Sequence, residues 1–275
     1  MKKSIPLILA LLFPVAGFGG EAVLLAYAGD TNMATSHDGG GPVLLAESGG
    51  SGTSTTDGND DDDLSFLYDE DEETIDVYDP LEGFNRGMFW FNDKLYFYLM
   101  KPIARGMRVV IPEPLLLGMR NFMSNLGSTT RIVNAGLQGK FNDAGNELTR
   151  FVVNSTLGIG GLFDTAKDNF GIRMKREDTG QTMGYYGIGP GPYLVLPFLG
   201  PSDFRDGIGL FGDHYTSLVP RVFKGRDYWI AKSIEYLDIL ALDKDTYEGI
   251  KRDALDPYLF VRDAYMQHRR SLIEE

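Results

Sequence analysis

The chain has 275 residues, 43% of them hydrophobic, with 17 Phe, 14 Tyr, 3 His and no Cys; this suffices for one sizeable domain or two small ones, and excludes disulfides, thiolate metal sites and Cys nucleophiles. The net charge of −13 is uneven: residues 1–79 carry 2 basic and 16 acidic side chains, and the rest of the chain carries 24 and 23. A near-neutral body lacks the Lys and Arg excess that nucleic-acid binding requires, and His37, His214 and His268 are too scattered to promise a metal or cofactor site.

Met1–Lys2–Lys3, the broken apolar run Ile5–Phe18 and the small-x-small trio Ala26–Tyr27–Ala28 read as a secretory signal over residues 1–28. Residues 29–78 read as a disordered Gly/Ser/Asp-rich acidic linker. The runs Asp60–Asp63 and Asp69–Glu73 have no Lys or Arg to offset them and little apolar surface to bury. Neither run has the ligand spacing of a calcium-binding loop. Residues 79–275 are expected to form an all-α domain.

Asp79–Pro80 is a cap followed by a first-turn proline. It opens an aromatic helix over Leu81–Met100, apolar around most of its circumference, that Pro102 should end or kink. Further helices are expected over Leu115–Leu126, Thr129–Leu137 and, capped by Asn142, up to Leu157, where Gly158, Gly160 and Gly161 break the chain. Short helices are expected at Leu162–Lys167 and Asp178–Tyr186. Ser202 should cap a helix over Asp203–Tyr215. Ile230, Ile234, Leu237 and Leu240 mark an amphipathic helix over Asp227–Leu240. Asp256–Pro257 repeats the opening signal ahead of a C-terminal helix. Strand-like alternation is scarce.

Two stretches stand apart. Residues 181–202 hold no charged residue and four prolines, and 151–163 are also uncharged. Both could be ordinary core. Alternatively they form an apolar belt in a lipid interface, since prolines forbid a continuous spanning helix and Tyr favours the headgroup level. On the second reading Phe151, Val152, Leu157, Tyr185, Tyr186, Tyr193, Leu194, Leu196 and Phe198 contact lipid or membrane, and Gly158, Gly160 and Gly161 supply the backbone break beside them.

Other motifs are weaker. Gly207–Gly212 matches G-x-G-x-x-G but lies inside an expected helix, where close helix packing explains it better than a nucleotide. Gly83 and Gly87 have the spacing that lets helices approach closely. Asp213–His214, with Asp203 and Asp206 nearby, is the one cluster that could serve a hydrolase or a metal. A polar helix face is the plainer explanation, and Arg205–Asp206 reads as a structural ion pair.

The ordered set Asp79–Pro80–Leu81–Glu82–Gly83–Phe84–Asn85–Arg86, Asn121–Phe122–Met123–Ser124–Asn125–Leu126, Thr149–Arg150–Phe151, Asn154–Ser155–Thr156–Leu157–Gly158, Gly160–Gly161–Leu162–Phe163–Asp164 and Thr179–Gly180–Gln181–Thr182–Met183–Gly184 resembles the MlaA (VacJ) family. Gly191–Pro192–Tyr193–Leu194–Val195–Leu196–Pro197–Phe198, Ser202–Asp203–Phe204–Arg205–Asp206 and Asp256–Pro257–Tyr258 complete it. The resemblance implies a compact ring-like helical domain with an amphipathic central channel at the inner face of the outer membrane. It further implies removal of mislocalised phospholipids from the outer leaflet, no covalent chemistry, and association with trimeric porins and an MlaC-like periplasmic lipid carrier. Family members usually carry a lipidated Cys after the signal; this sequence has none, so no lipid anchor of that kind is expected. A phospholipid hydrolase and a non-transporting, porin-binding scaffold are the alternatives.

Overall fold

The computed structural model describes residues 77–243 and 245–275. The expected signal (1–28) and nearly all of the expected linker (29–78) lie outside the described residues. Among the described residues the chain is mostly helical, with a single two-stranded sheet.

Helix α1 spans Glu82–Leu95. Asp79 is not its cap: Leu81 holds that position without a side-chain hydrogen bond. Asp79 instead accepts from Asn85 Nδ2 at 2.8 Å and from the Tyr258 hydroxyl, so it fastens the entry of α1 to the far end of the chain. Pro102 does not end the helix either. One π-helical turn, Tyr96–Met100, leads into α2, Lys101–Val110, and places Pro102 in its first turn, where a missing N–H costs least.

The two short helices expected over 115–137 are one, α3, Glu113–Leu137. Gly127 does not break it, because burial of Leu116, Met123, Leu126, Thr130 and Ala135 along its length outweighs glycine's local preference. Arg131 reinforces the same stretch by donating to Ser128 Oγ and Ser124 O. Helix α4, Phe141–Thr156, folds back on α3 after a tight turn at Gly139, whose φ is +75°. Its cap position is Lys140, not Asn142. Helix α5, Thr165–Phe170, starts later than expected because Asp164 caps it. Asp178 caps α6, Thr179–Tyr185, by accepting from Gln181 N at 2.7 Å.

Where strand-like alternation was scarce, residues 193–203 form an antiparallel hairpin: β1, Tyr193–Leu196, pairs with β2, Gly200–Asp203, in the register Tyr193↔Asp203 to Leu196↔Gly200. Its outer backbone is served by two asparagines seven residues apart on α1. Asn85 bonds Tyr193 O and Val195 N, and Asn92 bonds Leu196 O and Phe198 N. Asp203, not Ser202, caps α7, Phe204–Thr216. The chain then forms α8, Val219–Val222, and α9, Arg226–Leu242. Helix α10, Thr246–Asp253, was not foreseen, and α11, Pro257–Glu274, is capped by Asp256 as expected.

The buried apolar residues form separate clusters. Met100, Ala104, Leu116, Leu237 and Leu240 join α2, α3 and α9; Met123, Leu126, Val219 and Tyr228 join α3, α8 and α9; Tyr193, Val195, Tyr258 and Tyr265 join the hairpin to α11. Hollows lined in part by the second cluster, Met123 among its members, define the candidate site.

Candidate functional site

Buried ion pairs set the frame. Arg269 of α11 donates to both oxygens of Asp178, at 2.6 and 2.9 Å, and to Asp206 at 2.9 Å. Tyr265 and Arg205 also bond Asp206. This network requires α6 and α7 to touch: a Cβ on Gly180 would stand 2.2 Å from Asp206 Oδ1, and one on Gly209 would stand 2.7 Å from Gly180 N. Gly209 and Gly212 therefore serve close helix packing, as the sequence suggested. Gly83 and Gly87 do not, since nothing lies within 4 Å of a Cβ at either.

A second network holds the glycine break. Arg150 grips both oxygens of Asp164 at 2.9 Å, and Asn154 joins Asp164 to the amide of Ala166. Gly160 and Gly161 have φ of +72° and +101°, and a Cβ on Gly158 would meet Phe163 O at 2.3 Å. The Asn154 side chain is thus consumed inside the fold.

Beside these frames lie two adjoining hollows of different chemistry. A polar chamber of about 250 Å³ is lined by Arg120 and Arg131 of α3, by Arg176, Glu177 and Asp178, and by Lys232, Glu235 and Asp238 of α9, with Met174, Val219 and Ile239 adding apolar wall. An apolar chamber of about 410 Å³ is lined by Met119 and Phe122 of α3, by Leu162 and Phe223, and by Ile230 and Ile234 of α9. Met123, Glu235 and Asp238 line both, so the chambers adjoin. A third hollow of about 190 Å³ shares Arg176, Asp178 and Asp213 with the polar chamber and reaches Leu196 of the hairpin.

Electrostatics differ among the acids. Burial would raise Asp178, but Arg269 holds it below the usual carboxylate range. Burial pushes Asp213 up to about 6, with Asp178 adding to the rise and the Thr179 hydrogen bonds opposing it. Burial also pushes Asp238 up to about 6, against the pull of Arg120.

Asp213 and His214 do not assemble a hydrolytic centre. Asp213 accepts from Thr179 N and Oγ1 at 2.9 and 2.7 Å, tying α7 to α6, whereas His214 Nδ1 faces the Tyr228 hydroxyl at 3.3 Å. Arg205 and Asp206 form the expected buried ion pair, at 3.0 Å.

The residues assigned to membrane contact fall into two groups. Val152, Leu157, Tyr185 and Tyr186 are exposed, with Tyr186 at 65%. Phe151, Leu194, Leu196 and Phe198 are half-buried, and Phe198 packs edge-on against Phe91. Tyr193 is a correction: at 0% exposure it sits among Tyr258 and Tyr265, because strand alternation turns it inward with Val195.

The sequence reading missed most of the exposed apolar surface. Phe204, Ile208, Phe211 and Tyr215 form a stripe on the outer face of α7, with Phe211 70% exposed. Phe141 and Leu148 extend the Val152 face of α4, and Ile159 within the glycine break and Phe163 just after it are also exposed. The Tyr186 hydroxyl bonds Leu137 O, which brings the exposed ends of α6 and α3 together. The spacing of four, three and four on α7 was the available signal, but it equally describes a buried face. Among the described residues no helix is long and apolar enough to cross a membrane.

Residues 77–272 match the family model described as MlaA lipoprotein. The intermembrane phospholipid transport system lipoprotein MlaA of Escherichia coli K12 is 37% identical over 195 residues, covering 69% of this chain and 76% of that protein. An uncharacterized protein of Rickettsia bellii is 35% identical over 207 residues, covering 72% and 78%. A chain solved as the structural basis for maintenance of bacterial outer membrane lipid asymmetry superposes with a TM-score of 0.62 at 35% identity, covering 71% of this chain and 98% of that one.

Proposed function

Given that the chain belongs to the MlaA lipoprotein family, we propose that it works in intermembrane phospholipid transport, removing mislocalised phospholipids from the outer leaflet of the outer membrane and so maintaining lipid asymmetry. The observation that carries this reading is the pairing of an exposed apolar girdle on α4, the end of α6 and α7 with a path whose two chambers are polar and apolar. Surface of that kind marks membrane contact, and a phospholipid needs both chemistries to move through protein. The helices rest in one leaflet without spanning it.

The protein acts as a transport component and not as an enzyme. The separate engagements of Asp213 and His214 support this, since hydrolysis needs a base oriented onto a nucleophile. Its place is the periplasmic face of the outer membrane, with a trimeric porin and an MlaC-like carrier as protein partners.

The test is complementation in Escherichia coli lacking its own MlaA, reading outer-leaflet phospholipid by its accessibility to an added phospholipase. The full chain should return that phospholipid to the wild-type level, and a Val152→Asp/Phe211→Asp variant should not. Complementation by the variant would remove the girdle from the mechanism. Release of free fatty acid by the purified protein would favour a hydrolase.

A further inference from the structure

Asp238 lies on α9 one turn beyond Glu235 and two beyond Lys232. It is 1% exposed, and neither carboxylate oxygen has a hydrogen-bond partner. Yet it lines both the polar and the apolar chamber, so its side chain stands in the wall where the two meet. Nearby on the same helix, Lys232 Nζ donates to Glu235 Oε2 at 2.6 Å. Arg120, an exposed cation whose charge acts on Asp238, lines the same polar chamber. A buried acceptor without a donor is among the costliest features a fold retains. Its position in a ligand path indicates that the donor arrives with the ligand.

We infer that this junction is a headgroup site selective for a primary ammonium. Asp238 accepts hydrogen bonds from the ammonium of an ethanolamine phospholipid, Arg120 faces its phosphate, and the acyl chains lie along Met119, Phe122, Ile230 and Ile234. The inference rests on the transport reading and narrows its cargo. A zwitterionic headgroup sets a cation a few bonds from an anion, matching an acid and an arginine on one chamber wall. A choline headgroup has the charge but no N–H to donate, and a glycerol headgroup has hydroxyls but no cation.

The full-length protein is incubated with vesicles of phosphatidylethanolamine, phosphatidylcholine and phosphatidylglycerol in equal amounts and repurified, and the bound lipids are quantified by mass spectrometry. Wild type should hold the ethanolamine lipid over each of the others by about tenfold, the discrimination one hydrogen bond to a charged group provides. Asp238→Asn should bring the ratios close to one, and Asp238→Glu should restore the preference. Bound lipid in equal proportions in the wild type, or an undiminished preference in Asp238→Asn, overturns the headgroup assignment alone. Wild type that retains no phospholipid overturns both it and the transport reading. The choline comparison uses unaltered protein, so it decides the matter even if Asp238→Asn does not fold.

Discussion

At the residue scale the buried acids divide by what answers them. Asp178 has Arg269 on both oxygens and keeps its charge under burial. Asp213 is answered by neutral donors, those of Thr179 and Asn134, with Asp178 repelling it, so burial prevails and its pKa rises from 3.8 to about 6. The folded state therefore binds that proton more tightly than the unfolded state does. The stability it contributes is complete below 3.8 and is lost as pH rises through about 6. Asp213→Asn keeps an acceptor for Thr179 and removes the charge. Relative to wild type it should gain about 3 kcal/mol between pH 4 and pH 7. Denaturant unfolding of both proteins across that range measures the difference; parallel curves would refute the assignment of Asp213 as the titrating group. The sequence marked Asp213 as part of an acidic cluster beside His214 and Asp178 as a helix start, and gave no sign of Arg269 as their companion. Their pairing joins α6, α7 and α11, so no local window contains it.

At the element scale glycines with similar sequence patterns have opposite roles. Gly180 sits where a Cβ would stand 2.2 Å from the carboxylate that Arg269 and Tyr265 hold in place. Gly180→Ala should cost about 2–3 kcal/mol as an overpacked contact. Gly87 is exposed within α1 with nothing within 4 Å of a Cβ, so Gly87→Ala should raise stability by about 1 kcal/mol through helix propensity alone. Thermal unfolding of the two variants separates the cases; a destabilised Gly87→Ala would mean that a close neighbour does occupy that face. The hairpin gives the same lesson. Prolines ruled out a continuous spanning helix in 181–202, and Asn85 and Asn92 on a helix over a hundred residues away satisfy the backbone there and so permit strands.

At the scale of the whole molecule the unusual quantity is apolar surface left outside. Val152 and Leu157 near the end of α4, Tyr185 and Tyr186 ending α6, and Phe204, Ile208, Phe211 and Tyr215 along α7 all face outward. Acidic replacements at Val152 and Phe211 remove transfer free energy and add charge, so binding to phosphatidylethanolamine/phosphatidylglycerol vesicles should fall by about tenfold or more. Vesicle flotation checks this, with far-UV circular dichroism to show that the helices persist; unchanged flotation would mean the stripe on α7 meets protein instead of lipid.

The sequence by itself determined the helical character, the starts of α6, α9 and α11, and the family, because an Asp cap, an Asp–Pro opening, an amphipathic period and an ordered set of local motifs are read within a few residues. It also showed that residues 151–163 and 181–202 were too apolar and too poor in charge to pass as ordinary surface. Only the tertiary structure decided which of those side chains face outward. It buried Tyr193, exposed Tyr186, revealed the stripe on α7, and set Asp238 without a partner where two chambers meet. The reason is physical: an apolar period gives the direction of a helix face, whereas burial depends on what packs against that face from parts of the chain distant in sequence.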